Sequence, residues 1–110
     1  ILVDYPSHHT QKLAAVVSGS FIYTSTDAGV SWTEQTAAGS SDWQSIASSS
    51  DGTKLAAVAE PGSIWTSTDA GVSWTEQTAA GSRFWTSITS SSDGTKLAAV
   101  VLGGSIWTYR

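Results

Sequence analysis

An eight-residue string occurs twice in this chain without a change: Ser25-Thr-Asp-Ala-Gly-Val-Ser-Trp32 returns as Ser67 to Trp74, 42 positions later. Asp51-Gly-Thr-Lys-Leu-Ala-Ala-Val58 returns as Asp93 to Val100 at the same interval. Lys12-Leu-Ala-Ala-Val16 is the same element once more, since Lys12, Lys54 and Lys96 are evenly spaced. Aligned as 25–66 and 67–108, the two units differ at seven positions: Ser41/Arg83, Asp42/Phe84, Gln44/Thr86, Ala47/Thr89, Ala59/Val101, Glu60/Leu102 and Pro61/Gly103. Such identity marks a recent duplication or a designed array. It also dictates a modular fold, in which each unit is one supersecondary element that buries its apolar surface against the next.

Each unit divides into four short strand candidates separated by turn chemistry. Trp43 to Ser48 is a first strand, A, closed by the Asp51-Gly52 hairpin signal. Lys54 to Ala59 is strand B, followed by a Glu60-Pro61-Gly62 turn, and Ser63 to Thr68 is strand C. Asp69-Ala70-Gly71 turns into strand D, Val72 to Thr78, and Ala79 to Ser82 lead to the next A. Leu and Ala favour helices, but five residues between two Gly-bearing turns are too few for a stable one, so Lys-Leu-Ala-Ala-Val is a strand. Strand B is apolar on both faces, with Leu55 and Ala57 on one and Ala56 and Val58 on the other, whereas D is mixed. A sheet with one strand buried on both sides and one wet strand fits a radially packed propeller blade.

Composition excludes several classes. No apolar run approaches the ~18 residues a membrane-spanning helix needs, so a soluble protein is expected. The absence of Cys removes disulfide scaffolds and thiolate zinc sites and leaves the redox compartment unread. Asn is absent too, so no glycosylation sequon argues for secretion, and the compartment, extracellular or not, stays open. Five dispersed cations in a chain of net charge −4 cannot assemble a basic patch, so no nucleic-acid partner is expected. The chain starts on Ile1 rather than Met, which suggests a processed or partial sequence, and no signal peptide is visible there.

The repeated octapeptide resembles the Asp-box, Ser/Thr-x-Asp-x-Gly-x-x-Trp, also called the BNR repeat. Ser25, Asp27, Gly29 and Trp32 fill its defining positions, and so do Ser67, Asp69, Gly71 and Trp74. Asp-box units build β-propellers of sialidases, sortilin-type receptors, some xyloglucan-degrading enzymes and the photosystem II assembly factor family. The resemblance implies an all-β fold of propeller blades, each of four antiparallel strands, with about 2.5 blades in 110 residues. Residues 1–24 would be a partial first blade with an irregular N-terminal strand and strands B and C. Residues 25–66 and 67–108 would be full units, and 109–110 the start of a truncated one.

The box itself is a staple. Its Asp can accept backbone N–H groups of its own turn, its Gly supplies a positive φ, and its Trp, folded under the hairpin, buries roughly 150–250 Å². In the family these boxes lie away from the active site. Calcium at Asp27 or Asp69 is the lesser reading, because each turn offers one carboxylate where calcium wants six to eight oxygens. No metal and no cofactor are expected.

Catalysis is not expected either. A sialidase needs several arginines converging on a carboxylate, and this chain has only Arg83 and Arg110. Glu34 and Glu76 occupy equivalent outer-strand positions in different blades, too far apart for a glycosidase pair, and Asp51 and Asp93 are turn residues. His8 and His9, the only imidazoles, belong to an irregular first turn, with a surface metal site the alternative. A fragment of a sialidase-like glycoside hydrolase is the least favoured function.

Four of the seven differences fall in the D–A connection or the B–C turn, which emerge on one edge of an antiparallel blade, and a fifth, Ala59/Val101, ends strand B beside that turn. The first, partial unit differs there as well, with Val17-Ser18-Gly19. Loops on a rigid scaffold commonly carry function, although neutral drift on an unconstrained edge would leave the same pattern. The candidate ligand-binding residues are Asp42, Trp43, Glu60, Arg83, Phe84, Trp85 and Leu102. A non-catalytic protein-interaction scaffold is the first reading. A multivalent lectin is the second, with exposed Trp43 or Trp85 stacking on sugar rings unless both are core packing. A propeller needs four to eight blades to close. The partners therefore include further copies of the chain (a trimer would supply roughly eight blades, Ile1 to Ser7 completing a neighbour's) or the rest of a longer array.

Overall fold

The computed structural model describes residues 12–109, and every structural statement below concerns these. His8, His9 and the Ile1 to Ser7 segment lie outside the described residues. Eleven strands follow one another without a helix: β1 (Leu13–Val16), β2 (Ser18–Ser20), β3 (Ile22–Ser25), β4 (Thr33–Gln35), β5 (Ser41–Ser48), β6 (Leu55–Ala59), β7 (Ile64–Ser67), β8 (Thr75–Gln77), β9 (Trp85–Ser90), β10 (Leu97–Val101) and β11 (Ile106–Tyr109). The fold is all-β, and every strand pair is antiparallel.

Three sheets result, ordered β1-β3-β4, β2-β5-β6-β7-β8 and β11-β10-β9. In the middle sheet β5, β6, β7 and β8 run as a meander, which matches the A, B, C and D order expected for one unit. The Leu-Ala-Ala-Val segments are strands in all three sheets, at β1, β6 and β10. Strand D is shorter than expected. β8 starts at Thr75 because the Asp69 carboxylate holds the Ser73 N–H, which keeps Val72 to Trp74 in the turn. A strand also appears where only a turn was expected. Ser18–Ser20, in the first B–C connection, pairs with the start of β5 at Ser18↔Asp42 and Ser20↔Ser41.

The sheets stack through their faces. Toward the first sheet, Trp43, Ala57 and Ala59 are buried against Ile22, with Val16, Ala38, Trp65 and Trp74 packed around them. Toward the third sheet, Ala56 and Val58 are buried against Trp85, Ile88 and Ala99. β6 is therefore covered on both faces along its whole length, as its unbroken apolar sequence requires. Its small side chains let the sheets approach, while the tryptophans of β5 and β7 fill the width on either side. Trp43 and Trp65 meet edge to face at 6.3 Å, and Trp85 and Trp107 repeat the arrangement at 6.1 Å.

The two copies of the octapeptide share a sequence but not an environment. A Cβ placed on Gly71 would stand 3.0 Å from Thr24 Cγ2 and 3.3 Å from Leu55 Cδ1, because the second box presses on the first sheet. At Gly29 the nearest atoms, Leu13 Cδ1 and Trp32 Cζ2, are 3.6 and 3.7 Å away. Trp32 accordingly stays 43% exposed, against the expectation that it folds under its hairpin. No preceding sheet exists among the described residues to cover it.

Both glycines hold φ near +90°, at 91° and 92°, so Ala should cost about 1–2 kcal/mol at either from the backbone alone. Gly71→Ala should cost about 1 kcal/mol or more beyond Gly29→Ala, because only there must a neighbouring sheet give way. Urea denaturation of the two variants measures the difference. Equal losses would mean that the second box does not bear on the first sheet.

Candidate functional site

The turns and connections separate into two groups. The first holds the turns that do not change between units. Ser25 Oγ, itself buried, donates to Asp27 Oδ1 at 2.8 Å and accepts the Gly29 N–H at 2.9 Å. The Ser31 N–H donates to the same carboxylate oxygen at 2.9 Å, and the Ser31 hydroxyl donates to the other. Ser67, Asp69, Gly71 and Ser73 repeat the network bond for bond. The A–B turns use the same chemistry. Asp51 Oδ1 accepts from Ser49 Oγ, Thr53 N and Thr53 Oγ1, and Asp93 accepts from Ser91 and Thr95.

These carboxylates are committed to their own turns. No group of three or more His, Cys, Asp or Glu side chains gathers among the described residues, at Asp27 and Asp69 or elsewhere. Adjacent turns are also joined through the backbone. The Ser50 N–H donates to Ser92 O at 2.7 Å and the Ala70 N–H to Thr53 O at 2.8 Å.

The second group carries the differences. The Gly62 and Arg83 backbones exchange two hydrogen bonds, of 3.1 and 2.9 Å, which tie the B–C turn of the middle sheet to the connection entering the third. The Glu60 N–H donates to Asp42 O at 3.0 Å, and the Leu102 N–H donates to Phe84 O at 3.1 Å. Ser40 Oγ reaches Gly19 O at 3.3 Å in the first unit. The expected gathering of B–C turns beside D–A connections is therefore present.

Backbone pairing gives the differences a structure that their positions in the chain did not show. Asp42 and Glu60 are neighbours, and so are their counterparts Phe84 and Leu102. An acidic pair in one unit is an apolar pair in the next. Phe84 and Leu102 are 55% and 69% exposed, so the two apolar side chains stand side by side at the surface. Arg83 precedes Phe84 in the chain and pairs through its backbone with Gly62, two residues after Glu60. Its Nε donates to Ala80 O at 2.7 Å, and its guanidinium carbon sits 4.3 Å from the centre of the Trp107 ring. It is thus held in place by a cation–π contact and a hydrogen bond while remaining exposed. Trp107 and Ala80 were not singled out by sequence. Nothing in the spacing of 83 and 107 links them.

Two of the expected binding residues need correction. Trp43 and Trp85 are 2% and 0% exposed, so neither presents a ring to a sugar. Both sit near the start of an A strand, where the preceding sheet covers them. Trp43 Nε1 reaches Gly39 O at 3.4 Å, whereas the buried Trp85 Nε1 has no partner. Asp42, Arg83, Phe84 and Leu102 are exposed and Glu60 is half-buried.

Hydrogen bonds set the acidity of the turn carboxylates. The Ser31 hydroxyl and then its N–H hold Asp27 down to about 2 from 3.8, and Ser73 does the same for Asp69. The Thr53 N–H leads in bringing Asp51 to about 2, and Asp93 is held lower still by Thr95, with help from Lys96. A carboxyl depressed on folding stabilises fully above its unfolded value and loses that contribution as pH falls through its folded value. Stability should therefore decline from near pH 4 toward pH 2. Asp69→Asn should flatten part of that slope in urea midpoints measured across this range. An unchanged slope would separate the box from acid stability.

Comparison with protein-family models, with curated proteins and with solved structures returned no match.

Proposed function

We propose that the chain is a non-catalytic binding module built of Asp-box propeller blades, whose variable edge takes a protein ligand. The observation that carries this reading is the coupled replacement on that edge. Asp42 and Glu60 touch through their backbones, as do Phe84 and Leu102, and both members of the pair change together while the turns of the other group stay identical. Two exposed apolar side chains beside an anchored Arg and a separate acidic pair suit a peptide or protein surface with an apolar anchor and charges of both signs.

The lectin reading has less support, because the two tryptophans offered as stacking platforms are buried. The glycosidase reading also has less support, because Glu34 and Glu76 lie on different sheets, each taken up by a neighbouring hydroxyl. Tyr23 OH donates to Glu34 on the first sheet, and Ser63 Oγ donates to Glu76 on the second. Further units of the same kind, from additional copies or a longer chain, would complete a ring. Val100 and Ile106 support that idea: both are exposed at positions equivalent to Val58 and Ile64, which pack against the third sheet.

A random peptide library panned against the chain, together with a glycan array, tests the reading. Enriched peptides should combine apolar and acidic residues, and should bind the Arg83→Ser, Phe84→Asp double variant at least tenfold more weakly. Peptides indifferent to those substitutions, or selective binding of one glycan class, would contradict it.

A further inference from the structure

The variable edge is continuous from the second sheet into the third. The Glu60 N–H joins it to Asp42 O, two backbone hydrogen bonds join Gly62 to Arg83, and the Leu102 N–H joins it to Phe84 O. Between these links the chain itself makes the connection, from Glu60 to Gly62 and from Arg83 to Phe84. A strip therefore runs through Asp42, Glu60, Gly62, Arg83, Phe84 and Leu102, and the boundary between two sheets lies inside it at the Gly62–Arg83 bridge. Gly62 puts no side chain on the strip and leaves no room for one, since a Cβ there would stand 2.9 Å from Ala59 Cβ.

Side chains along the strip are sorted by chemistry. The acidic pair comes first, the cation next and the apolar pair last. Two carboxylates on paired neighbours repel each other. Arg83 does not relieve them, because among the described residues its guanidinium donates only through Nε, to Ala80 O, and rests on the Trp107 ring. That hold leaves both Nη groups for a carboxylate arriving from outside. Paired neighbours and short chain steps bound the backbone distance from Glu60 to Phe84 at about 16 Å, which roughly five residues of extended chain cover.

We propose that the strip binds one extended polypeptide segment across the sheet boundary, in a fixed order of chemistry. Basic side chains sit at Asp42 and Glu60, an acidic side chain at Arg83, and an apolar side chain on Phe84 and Leu102. This rests on the reading of the variable edge as a protein-binding surface and deepens it. Asp42 and Glu60 become a subsite of their own, for Lys or Arg, and Arg83 becomes the residue that sets the register of the ligand. Apolar burial at Phe84 and Leu102 supplies most of the affinity. The charges reject a segment in the wrong order, since a misplaced charge meets its own sign or lies on apolar surface. Two identical units would bind two copies of one motif, whereas units changed at paired residues present different subsites to one ligand.

The test uses short synthetic peptides of one composition, a Lys-Lys block, a Glu and a Leu-Leu block with single Ser spacers, in every block order. Each is titrated into the 110-residue chain, and the Leu102 methyl resonances report whether it lies on the strip. Glu stands in the middle of two orders, which are one pattern in opposite chain directions. One of these should bind at least about tenfold tighter than any order with Glu at an end. The Asp42→Asn, Glu60→Gln variant removes both charges and keeps both shapes. It should weaken that peptide about tenfold and leave a shortened Glu-Ser-Leu-Leu peptide unchanged, a split that damage to the fold would not produce. Equal affinity in every order, or a variant that weakens neither peptide or both alike, would overturn the proposal and leave the edge a protein-binding surface. So would shifts at Leu102 from random-library peptides when none of these peptides causes any. No shift there from either set would overturn both readings.

Discussion

Two-sided burial of one short strand underlies the whole arrangement. Leu55–Ala59 has no exposed residue, and its alternate side chains belong to two different clusters. A strand buried on both faces needs a sheet on each side, so the middle unit is defined by its neighbours rather than by itself. Small residues are essential to this. Ala56, Ala57 and Ala59 leave the space that Trp43, Trp65 and Trp85 take up from adjacent strands and sheets. Nearest-neighbour burial of this kind is the energetic signature of repeat architectures, where the contact between units carries stability that no unit has alone.

The polar turns do a different job. Each acidic side chain accepts from a serine or threonine and from backbone N–H groups within a few residues, so the turns are built locally and in identical copies. Cross-turn backbone bonds then lock one copy to the next. This leaves the B–C and D–A connections as the segments in which side chains vary without altering the frame. Rigid turns in one group and variable side chains in the other give the division expected when a scaffold presents a surface.

Much of the fold was legible because the repeat supplied its own alignment. The strand in Lys-Leu-Ala-Ala-Val followed from its length and flanking turns, and its two apolar faces followed from alternation. What sequence missed was tertiary. The turn of the second octapeptide runs through Trp74 because the Asp69 carboxylate captures Ser73, a bond that shortens the last strand. β2 forms because the start of β5 offers it a partner, and nothing in Ser-Gly-Ser predicts that. The same residue type had opposite fates by position in the stack. Trp32 is half in solvent and Trp43 is buried, since only the latter has a sheet on its side. At the variable edge, four of the seven differences lie in connections that the backbone brings side by side. The pairing of Asp42 with Glu60, and of Phe84 with Leu102, needed the fold to be seen.

Native-state hydrogen exchange, resolved by residue, addresses the stacking of the sheets most directly. Amides that open only with global unfolding exchange slowest, and those on free edges exchange through local opening. The account predicts the slowest exchange in Leu55–Ala59, covered on both faces and paired on both edges. β3 and β10 should follow, and β4, β8 and β11 should exchange fastest. Exchange of Leu55–Ala59 as fast as that of β8 or β11 would contradict a middle sheet enclosed by its neighbours.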